Sequence, residues 1–168
     1  YVANVRPWNA ETPNIYTLVV THLDASGTQL ESFTHPFGFR TVEMNNGRQL
    51  INGKAVLFKG VNRHEHDAHK GRTVSVSSML EDIRLMKLNN INGVRNCHYP
   101  NNYAWYELCT EYGLYLVDEA NIESHGMQDH PDGTLANYPE WEGAFIERFS
   151  RMMARDRNFT SVVTWSMG

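Results

Sequence analysis

"NGVRNCHYPNNYAWYELCTEYGLYLVDE", residues 92–119, changes its grammar twice. Gly93 to Cys97 reads as a short extended run. Tyr103 to Tyr112 carries apolar residues at helical spacing and is stopped by Gly113, a residue that readily ends a helix in the left-handed conformation. Leu114 to Val117 is extended again. Two strands joined by a helix of this length are parallel, with a right-handed crossover, because a tight turn cannot reverse the chain between parallel neighbours.

The same alternation continues on both sides. Upstream, Ala55 to Val61 reads as a strand. Ser77 to Asn89 reads as a helix, with Ser78 as its cap, Glu81 three places on, and an apolar face of Met79, Leu80, Ile83 and Met86. Downstream, Glu142 to Asp156 is a long helix with a buried stripe of Phe145, Ile146, Phe149, Met152 and Met153, and Val162 to Trp165 is a fourth strand. Four strands with three intervening helices amount to about half of a (β/α)₈ barrel, a fold that runs to roughly 250 residues. A flavodoxin-like open sheet has room for the same count but normally ends on a covering helix.

The first fifty or so residues use another pattern. Ile15 to His22 alternates with a two-residue period, Asp24-Ala25-Ser26-Gly27 is a turn, and Leu30 to Thr34 resumes the alternation, which is a hairpin. Asn46-Gly47 and Asn52-Gly53 each lie between β-compatible runs, the strongest short-range hairpin signal. The fold class expected is therefore α/β. Residues 1–40 supply the C-terminal part of an all-β, immunoglobulin-like sandwich domain, and residues 41–168 supply strands 1–4 of a TIM barrel.

Composition narrows the function. Nineteen acidic against fifteen basic side chains give a net charge of -4, which is not the footprint of a nucleic-acid binder. No apolar run is long enough for a membrane span. Cys97 and Cys109 sit in apolar stretches outside any C-x-x-C pair and read as reduced, buried thiols. His64, His66 and His69 lack the i, i+4 spacing and general-base glutamate of H-E-x-x-H, so no dedicated transition-metal site is expected there. Trp105, Tyr106, Trp141 and Trp165 have the chemistry to stack on sugars, but most are expected to pack within the helix and barrel layers. Asn158-Phe159-Thr160 is a glycosylation sequon with nothing else to support a secretory context.

Polar residues gather after each predicted strand: "NRHEHD" after the first, "RNCHYPN" after the second, "DEANIESHGM" after the third. In a parallel barrel these ends form the face that carries chemistry. Asp118 and Glu119 are adjacent in a strand, point to opposite faces and cannot act as one catalytic pair, so both are expected to be polar anchors at the rim.

These stretches resemble glycoside hydrolase family 2, and within it the large bacterial β-galactosidases. Asn92 to Val117 is similar to the family's first signature and Asp156 to Gly168 to the front of its second. The likeness extends through "RPWNAETPNIYTLVV", "FGFR" and "LINGKAVLFKGVNRHEHD". Thr110, Phe159 and Thr164 depart from it, standing where an acidic or amide residue, a ring-nitrogen or basic residue, and an aliphatic residue are usual. The resemblance implies a retaining hydrolase of terminal β-D-galactosides. Its general acid/base glutamate would follow an Asn just after Gly168 and its nucleophilic glutamate would lie further on, so no catalytic carboxylate is expected within the chain. By the same resemblance, Arg95 sits beside the nucleophile, His64 and His98 contact sugar hydroxyls, and Glu123 and His125 are ligands of a Mg²⁺ ion whose site is incomplete without the acid/base glutamate. The Glu-x-His arrangement favours galactosides over the substrates of the related β-glucuronidases and β-mannosidases. The implied partners are a β-galactoside, the remainder of the barrel and sandwich domains, and further copies in a homo-oligomer, in a cytoplasmic setting. The rival expectation is a non-catalytic or split carbohydrate-binding module.

Overall fold

A computed structural model describes residues 2–130 and 133–168. β1 (Tyr16–Leu23) and β2 (Gln29–Phe37) form an antiparallel pair. Asp24 closes their turn, its carboxylate accepting from the amides of Ser26 and Thr28 at 2.8 and 2.9 Å. The sandwich portion expected in residues 1–40 is thus a single two-stranded sheet.

β3 (Val42–Asn45), β4 (Arg48–Ile51) and β5 (Lys54–Ala55) form a second antiparallel sheet, turned by the two Asn-Gly pairs. Asn46 and Gly47 have φ of 48° and 72°, and Asn52 and Gly53 have 52° and 74°. Positive φ at both central residues marks the turn whose twist matches that of the strands it joins.

β6 (Gly60–Arg63), β7 (Gly93–Asn96), β8 (Tyr115–Glu119) and β9 (Val162–Ser166) make a four-stranded parallel sheet in sequence order. Between consecutive strands run α1 (Val76–Leu88), α2 (Tyr103–Tyr112) and α3 (Glu142–Asp156). This is the first half of a (β/α)₈ barrel. No helix among the described residues is long and apolar enough to cross a membrane.

Three expectations are corrected. The first barrel strand begins at Gly60 rather than Ala55, because the preceding backbone is held by a side chain: Asn92 Oδ1 accepts from the Lys59 amide at 2.8 Å and its Nδ2 donates to the Leu57 carbonyl at 3.0 Å. The cap of α1 is Ser75, whose hydroxyl accepts from the Ser78 amide, while Glu81 pairs with Arg84 instead of reaching back. Ile146 is 55% exposed and does not belong to the buried stripe of α3.

Alternation along the parallel strands sorts side chains onto two faces. On the outer face Val94, Leu116 and Val162 pack against Met79, Ile83 and Met86 of α1 and Trp105, Tyr106 and Cys109 of α2. On the inner face Tyr115 and Val163 meet Ile51, Trp8 and Ala10, so the small β3–β5 sheet and the segment before β1 close one end of the half-barrel. Trp8 fixes that segment by donating its indole N–H to the Thr110 carbonyl at 2.8 Å. Gly113, φ 74°, ends α2 there, and its bare Cα leaves room for the Ala10 carbonyl that a Cβ would meet at 2.5 Å. The departures from the family pattern are absorbed structurally. Thr110 donates to Ser161 Oγ at 3.0 Å, Phe159 is buried and stacks on Tyr106, and Thr164 lies beside Gln49.

A buried polar layer lies behind the sheet. Tyr106, whose phenol is kept protonated by burial, donates to Asp118 Oδ1 at 2.7 Å. Asp118 Oδ2 has no donor among the described residues, but the carboxyl group of Asp156, also fully buried, interacts with it. Burial, reinforced by Asp156, pushes the Asp118 carboxyl up to about 7, and the proton it then holds satisfies the contact between the two acids. An acid whose folded pKa lies above its unfolded value near 3.8 binds more protons in the native state between those limits, so stability falls as pH rises through about 4 to 7. The unfolding midpoint of the intact protein is expected to gain several degrees between pH 7.5 and pH 5, and Asp118→Asn to remove about 1–3 kcal/mol of that dependence. An unchanged slope in the variant would assign the effect to other groups.

Candidate active site

The C-terminal rim of the four parallel strands brings the candidate residues together. Arg95 lies on the inner face of β7, in register with Val117 of β8, so Glu119, two residues on, projects from the same face one step nearer the rim. The guanidinium forks onto that carboxylate: Nε donates to Oε2 at 2.7 Å and Nη2 to Oε1 at 2.8 Å. From β9, Ser166 Oγ donates to Oε2 at 2.7 Å. His98, just past β7, places Nδ1 3.0 Å from Oε1 of the same glutamate.

Glu119 is fully buried, and burial alone would raise its pKa. The hydrogen bonds from Arg95, Ser166 and His98 outweigh that and hold the carboxyl below its ordinary value. Held as an anion, it fixes three other side chains from the ends of β7 and β9. Arg95 is correspondingly locked in its charged form.

His98 Nδ1 also lies 3.1 Å from Glu123 Oε2. Arg95 Nη2 also stands 3.0 Å from this nitrogen but already donates to Glu119 Oε1; with two carboxylates facing it, Nδ1 is assigned the proton, which leaves Nε2 as the acceptor. The exposed His64, following β6, meets His98 edge to face with ring centroids 5.3 Å apart. His125 opens the short 3₁₀ turn His125–Met127 and shares with Glu123 the wall of a cavity of about 440 Å³, to which Gly168 also contributes. His64, Arg95, His98 and Glu123 therefore form one continuous cluster, and His125 adjoins it across the cavity.

Glu119 is the polar anchor expected at the rim, whereas the same alternation sends Asp118 into the helix layer; the partners of Glu119 are what sequence reasoning missed. Ser166 gave no signal of its own, since a serine at a strand end is ordinary. Arg95, expected to stand beside a nucleophile that lies outside residues 1–168, directs its fork to Glu119. Trp105 and Tyr106 are fully buried core residues, not sugar platforms.

Among known proteins, residues 42–168 match the family model described as glycosyl hydrolases family 2, TIM barrel domain, and residues 1–40 match glycosyl hydrolases family 2. The chain is 53% identical over 167 residues to the β-galactosidase of Alteromonas mediterranea, and 51% identical over 163 residues to that of Vibrio vulnificus. These alignments cover 99% and 97% of the chain but only 16% of either relative. Among solved structures, the β-glucuronidase of Ruminococcus gnavus in complex with D-glucaro 1,5-lactone superposes with a TM-score of 0.89 at 30% identity, covering 99% of this chain and 28% of that one. With both segments matched and the half-barrel in place, the chain belongs to glycosyl hydrolases family 2.

Proposed function

We propose that these residues form part of a retaining glycoside hydrolase that cleaves terminal β-D-galactosides, with both catalytic glutamates supplied from outside residues 1–168. The observation that carries this reading is the cluster of Arg95, His98, Glu119 and Glu123 on the rim, built from the ends of β7 and β8 around one buried anion. Retention needs two carboxyl groups about 5–5.5 Å apart, one to attack and one to shuttle a proton. Glu119 is committed to three hydrogen-bonding partners and Glu123 to His98, so neither is free for those roles. What the cluster offers is positioning. A histidine with its Nδ1 proton held presents Nε2 to a sugar hydroxyl in one orientation, and an arginine held by Glu119 adds a fixed positive charge beside it.

Glu123 and His125 are the residues that would hold Mg²⁺. One carboxylate and one imidazole on a common cavity wall make only a weak site for a cation that prefers oxygen ligands and retains several waters, and Glu123 must also share its carboxylate with His98, so little occupancy is expected without a further carboxylate. When bound, the ion would supply a fixed charge that orders oxygen ligands. Homo-oligomeric assembly and a cytoplasmic location belong to the same proposal and rest on the family resemblance.

The choice of galactoside is supported by 51–53% identity to proteins named β-galactosidases. The β-glucuronidase structures favour a second reading by fold alone, at 30% identity. A substrate panel separates the two. The intact protein is expected to hydrolyse a chromogenic β-galactoside with kcat/KM at least about 100-fold above the matching β-glucuronide and β-mannoside. Residues 1–168 alone are expected to show no turnover above buffer. Preference for the glucuronide, or turnover by the isolated segment, would overturn the corresponding part of the proposal.

A further inference from the structure

We propose that His64, Cys97 and His98 form a binding site for a borderline divalent transition metal, Zn²⁺ in the first instance, at the rim of the half-barrel. One ligand atom from each residue lies within 4.8 Å of those of the other two. Two imidazoles and a thiolate are a donor set that zinc favours, and a fourth position left to water completes a tetrahedron.

The site is assembled by the sheet. The Cys97 amide donates to the Arg63 carbonyl at 3.1 Å, tying the end of β7 to the end of β6, so that the residue after Arg63, His64, arrives beside Cys97 and His98. His98 is prepared for a metal in the way ligating histidines usually are. Its Nδ1 is held by the Glu119 and Glu123 carboxylates at 3.0 and 3.1 Å, which orients the ring. Cys97 is 1% exposed, and burial raises its thiol, so it stays protonated until a cation arrives. On binding, the thiol proton leaves to solvent as the sulfur–metal bond forms. At a tetrahedral angle, bond lengths of about 2.1 Å to nitrogen and 2.3 Å to sulfur put the ligand atoms about 3.5 Å apart, so ligand atoms now within 4.8 Å must draw together by up to about 1 Å. His64 is exposed and free to rotate inward.

The spacing of His64, His66 and His69 along the chain carries none of this, and neither His66 nor His69 takes part. The consequence for catalysis rests on the proposed function: a metal on His64 and His98 occupies the side chains expected to contact the sugar and competes with it. Binding itself does not depend on that reading.

The test uses the intact protein, reduced and free of added Mg²⁺. Titration with Co²⁺ is expected to produce a thiolate-to-metal charge-transfer band in the near ultraviolet, absent in Cys97→Ser and retained in His69→Ala. Zn²⁺ should displace the cobalt and bind Cys97→Ser at least about 10-fold more weakly. If the sugar pocket lies here, Zn²⁺ should raise KM for the β-galactoside with kcat unchanged. A spectrum without the thiolate band, or equal zinc affinity in Cys97→Ser, overturns the metal site. A thiolate band without any effect on KM leaves the metal site standing and overturns its overlap with the sugar pocket.

Discussion

Replacing His98 by Phe in the intact protein is expected to lower kcat for a β-galactoside by about 10²–10⁴-fold while the fold survives. The substitution keeps a planar ring of similar size and removes both ring nitrogens. The ring is about one-third exposed at the rim and lies outside the apolar core, so little packing is lost. Glu119 keeps Arg95 and Ser166 as partners and remains a satisfied buried anion. What disappears is the Nε2 acceptor, and with it the sugar contact proposed for this side chain. An effect made only in the transition state lowers kcat and kcat/KM together, whereas a ground-state contact raises KM alone. Unchanged kcat with an unchanged unfolding midpoint would reduce His98 to a packing residue.

The largest loss of stability is expected at Trp105, where Ala should cost about 4 kcal/mol and lower the unfolding midpoint of the barrel domain, followed as its own transition in the intact protein, by about 8 °C. Three contacts depend on the indole. It is fully buried among α1, α2 and the outer face of the sheet. Its N–H donates to Asn96 Oδ1 at 2.9 Å, and Asn96 is itself fully buried, so truncation leaves an acceptor without its partner. The Arg63 guanidinium lies 3.8 Å above the ring and is anchored by Asp82 at 2.9 Å and Asn101 at 2.7 Å. Loss of the ring removes a cation–π contact from a buried charge. Trp105→Phe restores most of the apolar contact but not the N–H, and its midpoint should fall between the two. A midpoint within a degree or two of the parent for Trp105→Ala would contradict this account of the core.

Where the chain speaks through local periodicity, the reading of the sequence and the fold coincide. α2 and α3 have the bounds read from their apolar spacing, with Gly113 in the left-handed cap, and both Asn-Gly turns have positive φ at each residue. Each of these features depends on residues within one turn of one another. The β6 boundary failed because Ala55 to Phe58 looks strand-like, yet Leu57 is 75% exposed and Asn92, more than thirty residues away, takes its carbonyl. The cap expected at Ser78 gives way to Ser75 for a smaller reason: several serines stand in reach, and the start of the helix chooses among them.

The candidate residues His64, Arg95, His98, Glu123 and His125 were identifiable from their place after successive strands and from family resemblance. Their partners were not. Alternation alone, order in sequence and the count of strands are one-dimensional properties, and they were enough to establish a half-barrel with a polar rim. That Glu119 takes the fork of Arg95, that Ser166 completes its hydrogen bonding, and that Cys97 rather than His66 joins His64 and His98 were decided by parallel register, which aligns residues 21 to 47 positions apart and has no local signature. A buried carboxylate is stable only where such distant donors converge, so the chemistry of the rim exists only in the folded sheet.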